Sequence, residues 1–307
     1  MGSESVYIVI IFSFQTLIGT LGNLFLLGKY IFLYLSGHKT KPIDLIIMHL
    51  IVANLLVILF RGVPEILAAY GLEDFLSDFG CKFVYYISRV GRGVAFGSTC
   101  FLSVFQAITI SPNNCRWTEL KLKFPKYINT LTTLLWVLHL LLNICFSVSL
   151  TMKLRNKNVT SKIDFAYCSD PNTKRGIYTG HAVLTAIFDV SCMGLMLLAC
   201  GSMIFILFMH KRRIQHIHRS NHYFRSSAET RATHSILILV SIFMFFYFMS
   251  CIMQIYVTFF HHSRILLFTL DAFISACFST VCPFVFMNCG HCVSGICCFY
   301  GQRNRVT

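Results

Sequence analysis

The sequence predicts an all-α membrane protein: a bundle of seven transmembrane helices, N-terminus extracellular and C-terminus cytoplasmic, forming one domain over residues 1–307. Three observations carry this reading. The chain is 56% hydrophobic and only 12% charged, about half the charged share of a globular chain, so it cannot clothe a surface that faces water. Its charges punctuate seven long apolar stretches instead of spreading along one face. Those stretches reach the about 20 residues needed to cross a hydrocarbon core of about 30 Å. A net charge of +14 also suits a nucleic-acid binder, but the Lys and Arg residues fall mostly between apolar blocks, which is the pattern of a membrane protein. No nucleic-acid partner is expected.

Taken in order, the predicted helices cover 7–35, 43–70, 81–110, 128–150, 178–209, 232–260 and 265–288, with a short cytoplasmic tail at 289–307. No charge stands between Glu4 and Lys29, between Lys126 and Lys153, or between Arg231 and Arg264. The run from Arg175 to Lys211 holds only Asp189, and that from Arg264 to Arg303 only Asp271. The second stretch carries Arg61 and Glu65 near its later end, and the third carries Arg89 and Arg92 early. Backbone groups in lipid must be satisfied within the segment, which selects helices over open strands. The start MGSESVY has no basic region or cleavage site, so the run from Tyr7 reads as the first helix and not as a removed signal.

Orientation follows from the loops. An outer N-terminus places Lys39, Lys41, Arg116, Lys121, Lys123, Lys126, Lys211, Arg212, Arg213, Arg219, Arg225, Arg231, Arg303 and Arg305 inside, against a smaller basic set outside. Asn158-Val159-Thr160, the single glycosylation sequon, then falls in the second outer loop. Cys81 at the start of helix three and Cys168 in that loop both face the oxidising side, where a disulfide persists. Cysteines within apolar runs, such as Cys100, Cys192, Cys200, Cys277 and Cys282, read as small free hydrophobes.

Ionisable groups inside a span are expensive and face the bundle interior. Arg61, Glu65, Arg89, Arg92, Asp189 and Asp271 are therefore the candidate cavity residues, all but the two aspartates placed by residue count in the outer half. Arg61 and Glu65, four residues apart, also suit a simple pair along one helix. Lys82, Tyr85, Tyr86, Arg89 and Arg92 recur at near-helical spacing and need an acidic partner across the bundle, Asp189 or Asp271. Phe83, Phe96, Gln254, Tyr256 and Phe273 complete a largely aromatic wall. Such a cavity suits a small, mostly apolar ligand. An acidic group on it would be held by Arg89 or Arg92; otherwise Arg92 is locked to Asp189. Gly93-x-x-x-Gly97 reads as a close helix-packing motif rather than a phosphate loop. The tail set Cys289, His291, Cys292, Cys297 and Cys298 reads as reduced or palmitoylated cysteine before zinc ligation. The chain has no P-loop, no His-Glu-x-x-His and no coherent nucleophile triad, so neither enzyme activity nor a cofactor or metal is expected.

Several strings carry a resemblance. They are Gly37-His38-Lys39, Gly62-Val63-Pro64, Phe79-Gly80-Cys81-Lys82, and Arg89-Val90-Gly91-Arg92-Gly93-Val94. The most specific is Ser103-Val104-Phe105-Gln106-Ala107-Ile108-Thr109-Ile110-Ser111-Pro112. Phe188-Asp189-Val190, Gln215 to Asn221, Glu229 to Thr233 and Cys282-Pro283-Phe284-Val285 continue the match. Together they resemble type-1 vomeronasal receptors, a family of G-protein-coupled pheromone receptors. The resemblance implies a multi-pass plasma-membrane receptor for a small chemical signal, coupled to an inhibitory-type heterotrimeric G protein. Its G-protein face is expected on Gln106, Thr109, Arg116, Lys211, Arg212, Arg213, Arg225 and Arg231, where the basic rim also meets membrane lipid. A bitter-taste-like receptor and a small intramembrane transporter are the alternatives.

Overall fold

The computed structural model describes residues 3–37, 41–72, 76–112, 115–149, 151–152, 163–165, 168–170, 175–217, most of 237–250 with 252, and 269–287. The predicted positions Asn158, Arg225, Arg231, Gln254, Tyr256 and the tail lie outside the described residues. We number the helices α1 (Ser3–Leu35), α2 (Pro42–Ala69), α3 (Asp78–Ile110), α4 (Cys115–Ser149), α5 (Arg175–Ile217), α6 (Val240–Ser250) and α7 (Thr269–Met287). All but α6 contain a segment long and apolar enough to cross a membrane.

Helix ends follow local chemistry. Gly37 and Gly71, at φ +75° and +87°, close α1 and α2 in the left-handed region that glycine tolerates. Pro42 opens α2, its missing N–H costing nothing in a first turn, and the Asp44 carboxylate accepts from the Lys41 backbone N–H at 2.9 Å. Ser77 caps α3 by accepting from the Gly80 N–H at 3.2 Å. At the other end, Ser111 turns extended ahead of Pro112, and Lys121 donates to its carbonyl at 2.6 Å.

In the connection between α4 and α5, Thr151–Met152, Ile163–Phe165 and Cys168–Asp170 form a small antiparallel sheet. Met152 is in register with Cys168, and Cys168 with Phe165. Outside the helices, backbone groups of this connection find partners across the loop. Helix α4 begins well before residue 128. Lys121, Lys123 and Lys126 ended the apolar pattern, but the helix runs through them and through Pro125, with Lys123 paired to Glu119 one turn back. Likewise α5 continues beyond 209 to Ile217, carrying Lys211, Arg212 and Arg213 on its last turns.

Helix α3 is the centre. In its most apolar stretch 67% of residues are buried, against 22–44% in the other five membrane-length helices. Large apolar side chains of α1 and α5 point outward, among them Phe14, Phe25, Leu184 and Leu198, whereas Asn23, Asn54, Ser98, Thr99, Ser103 and Thr132 are fully buried. That inversion is what a lipid solvent selects, since tails give apolar side chains no reason to turn inward. Glycine then sets how near helices come. A Cβ on Gly91 would lie 2.9 Å from Leu56 Cβ and 3.0 Å from the Ala53 carbonyl of α2. A Cβ on Gly93 would fall on the His139 ring, and one on Gly97 on the Leu135 side chain, both in α4. Gly93-x-x-x-Gly97 is thus the α3–α4 contact the sequence suggested. Near the middle of their helices, Asn23 Nδ2 donates to the Gly19 and Ser279 carbonyls at 2.8 and 2.9 Å, and Ser279 Oγ donates to Asn54 Oδ1 at 3.1 Å. These bonds tie α1, α2 and α7.

Gly93→Ala is expected to lower stability by about 1–3 kcal/mol through overpacking. Gly194→Ala, on α5 with open space around the new methyl, is expected to be neutral or to gain up to about 1 kcal/mol from helix propensity. Thermal unfolding of the purified proteins in detergent separates the two; equal losses would refute glycine-mediated packing at α3–α4.

Candidate functional site

The site begins with a change of helix pitch. Within α2, Ile58–Gly62 forms a π-helical segment between the α-helical pieces Pro42–Val57 and Val63–Ala69. Such a bulge inserts a residue and re-aims the side chains on it. Arg61 sits on this segment, and its Nη2 reaches Asp271 Oδ2 of α7 at 3.2 Å. The guanidinium also lies 5.7 Å over the Tyr85 ring of α3. Glu65, the other candidate partner, is buried at 3% exposure in the piece Val63–Ala69 of α2.

Asp271 gathers further groups. Its Oδ1 accepts from Ser250 Oγ of α6 at 2.8 Å and stands 3.9 Å from Arg92 Nη1 of α3. One carboxylate therefore joins α2, α3, α6 and α7. Of the two acidic partners that the sequence offers Arg92, Asp189 and Asp271, it is Asp271, near the start of α7, that stands within 4 Å of it. Asp189 is instead hydrogen-bonded to Tyr247. Arg92 lies 5.4 Å over that same ring, and Tyr247 stacks flat on Phe96 with centroids 3.9 Å apart and planes within 5°.

These groups surround a cavity of about 80 Å³ lined by Arg61, Arg89, Arg92, Asp189 and Asp271, with Ser88, His139, Asn143, Thr185, Tyr247 and Ser275 among the rest. A smaller one of about 30 Å³ lies beside it and shares Arg92, Tyr247 and Ser275, adding Ser250 and Ser279. Five of the predicted charges thus converge on one space. Tyr85 is buried beneath Arg61, and Phe96 forms the aromatic floor under Tyr247. Tyr86 turns away: its hydroxyl donates to the Leu140 carbonyl of α4 at 2.9 Å. His139, Asn143, His181, Thr185, Tyr247 and Ser250 were missed by a search for charges. His181 Nε2 is 3.3 Å from Asn143 Oδ1, and the His139 ring meets Phe188 edge-on at 4.7 Å. Their signal was present as neutral polar residues interrupting apolar runs, with His139 and Asn143 four apart on α4.

Other predicted positions fall apart from this cavity. Cys81 is buried in the first turn of α3 and disulfide-bonded, while Cys100, Cys192, Cys200, Cys277 and Cys282 are free. Gln106 is buried and Thr109 exposed at the opposite end of α3, Arg116 sits in the first turn of α4, and exposed Arg212 lies 4.9 Å over Phe208. Among the described residues no group of three or more His, Cys, Asp or Glu is arranged to hold a metal ion.

A helical membrane bundle that turns its polar groups inward around a charged cavity has the build of a G-protein-coupled-receptor-like protein. Residues 6–298 match the vomeronasal organ pheromone receptor family, and the chain belongs to it. It is 47% identical over 292 residues to vomeronasal type-1 receptor 2 of Homo sapiens, covering 95% of this chain and 74% of that one. Vomeronasal type-1 receptor 4 of Homo sapiens is 44% identical over 297 residues, 97% of this chain and 98% of its own. Olfactory receptor class A-like protein 1 of Danio rerio is 28% identical over 282 residues, 90% of this chain and 87% of its own. The family is one of receptors, not enzymes.

Removing one member of a buried ion pair strands its partners and costs about 3–5 kcal/mol. Asp271→Asn is expected to lose stability on that scale, whereas Ser250→Ala, which deletes one hydrogen bond, is expected to lose about 1 kcal/mol. Thermal unfolding in detergent reads both; an Asp271→Asn protein as stable as Ser250→Ala would show that the carboxylate is not holding the arginines.

Proposed function

We propose that this chain is a seven-helix chemosensory receptor of the plasma membrane, N-terminus outside, that binds a small and largely apolar ligand between its helices and activates a heterotrimeric G protein of the inhibitory type. The observation that carries this reading is the charged cavity between α2, α3, α4, α5, α6 and α7, within a bundle whose family consists of receptors. At about 80 Å³ it is smaller than the about 300–1,000 Å³ of a pocket for a drug-sized ligand. A ligand therefore either is small or pushes side chains aside. Phe96, Tyr247 and Phe188 give the aromatic floor, and an acidic group would find Arg89 and Arg92 as bidentate donors in a low-dielectric site.

The outer cap follows the same logic. Cys81 lies at the α3 end that faces out in this orientation, and we assign its disulfide partner as Cys168. The strand register supports it, since β1 (Thr151–Met152) packs against α3 and pairs with β3 (Cys168–Asp170), which carries that cysteine. Asn158 is assigned as the glycosylated residue of the same loop. We assign the G-protein face to Gln106, Thr109, Arg116, Lys211, Arg212, Arg213, Arg225 and Arg231, whose basic members suit acidic groups of a G protein and anionic lipid, at about 1 kcal/mol per basic residue near the surface.

In cells with confirmed surface delivery, a chemical screen with an inhibitory G-protein readout is expected to find agonists. Arg92→Lys is expected to weaken an acidic agonist more than its neutral analogue, because lysine cannot reproduce the planar fork. Equal losses for the two would remove Arg92 from ligand contact. Neutralising Arg212 and Arg213 together is expected to impair coupling with ligand affinity retained; unchanged signalling at equal surface amounts would overturn the assigned face. Peptide mapping without reduction is expected to join Cys81 to Cys168, and free thiols at both positions would refute the pair.

A further inference from the structure

We propose that Asp271 is a built-in occupant of the arginine pocket: its tethered carboxylate holds the resting arrangement, and an incoming acidic group competes with it for Arg92. This rests on reading the cavity as the ligand site. The two oxygens of Asp271 are shared unequally. Arg61 and Ser250 hold it within hydrogen-bond distance, at 3.2 and 2.8 Å, whereas Arg92 stands at 3.9 Å. Arg92 is also the more exposed arginine, 20% against 11% for Arg61, and it alone of the two lines both cavities. It is the cation able to turn toward a new anion while Arg61 keeps its grip.

The consequence is mechanical. Arg92 belongs to α3, the most buried helix, and Asp271 to α7, with Ser250 drawing in α6. Moving Arg92 from the tethered carboxylate to a ligand cuts the ionic tie between α3 and α7. Tyr247, three residues before Ser250 on α6, lies under the same guanidinium and on Phe96, so the aromatic contact shifts with the charge. A ligand biases a conformational equilibrium only through contacts that differ between its states, and this exchange of carboxylates is such a contact.

Chemical replacement of the carboxylate tests the inference without a known agonist. Full-length Asp271→Ala receptor in lipid vesicles with purified inhibitory-type heterotrimeric G protein is expected to promote basal nucleotide exchange at least about fivefold above wild type, the lower end of typical allosteric coupling. Acetate, which refills the vacated place, is expected to return exchange toward the wild-type rate and raise the unfolding midpoint. Acetamide, of like shape without charge, is expected to do neither. Asp271→Asn is expected to be active without agonist and insensitive to acetate. Acetate and acetamide acting alike, or wild-type basal exchange by folded Asp271→Ala, would overturn the proposal. Should neither Asp271 variant fold, Arg92→Gln cuts the same tie, and wild-type basal exchange there would overturn it equally. Acetate-specific stabilisation with no exchange by any protein, wild type included, upholds the tether and counts instead against G-protein coupling.

Discussion

A carboxylate cannot sit among membrane helices unless its charge is answered there. Asp271 is answered by Arg61, Arg92 and Ser250, and this end of the bundle is arranged around that requirement. The π-helical turn of α2 delivers Arg61, the first turns of α7 deliver the acid, and α6 contributes a buried serine at that depth. The polar cavity is the space these groups leave between them. Breaking such a cluster one member at a time is costly, whereas an apolar core of the same volume would be as stable or more so. The ion cluster therefore argues for a role in specifying or switching the arrangement, beyond holding it together.

The remaining packing obeys a different rule. Lipid tails are as apolar as leucine, so helices associate through close contact and internal hydrogen bonds. Gly91 admits the α2 backbone, and Gly93 and Gly97 admit His139 and Leu135 of α4. The close fit at Gly93 brings the imidazole of α4 to the cavity wall, which links the packing motif to the site. Asn23, Asn54 and Ser279 bind α1, α2 and α7 by direct hydrogen bonds, and α3 packs against α2, α4 and α5.

Much of this was legible in the sequence, and the rest was hidden for identifiable reasons. Charge spacing located the six helices of membrane length among the described residues, because a charge in lipid is penalised wherever it falls. The same penalty marked Arg61, Arg89, Arg92, Asp189 and Asp271 as inward-facing, and the structure brings all five to one cavity. Their pairing was not legible. Ordinary α-helical spacing suggested Arg61 with Glu65, but a π segment has no reliable sequence mark and it aims Arg61 across the bundle. Tyr86 matched the periodicity of α3 yet faces α4, since periodicity gives a face and not the neighbour beyond it. The neutral groups His139, Asn143 and Ser250 escaped because a polar residue of no net charge scarcely disturbs an apolar pattern. Helix α4 was cut short because hydropathy finds where lipid begins, not where hydrogen bonding does. The family resemblance, by contrast, rested on strings spread along the chain, and the match over residues 6–298 agrees with it.

Asp271 and the arginines facing it act as one unit. A double-mutant cycle on Arg61 and Asp271 tests it most directly, with unfolding free energies of wild type, Arg61→Ala, Asp271→Ala and the double variant measured in one detergent. A coupling energy of about 1–3 kcal/mol is predicted, the range of residues in one buried network. Additivity within about 0.5 kcal/mol would mean that the two groups are independent, and would contradict it.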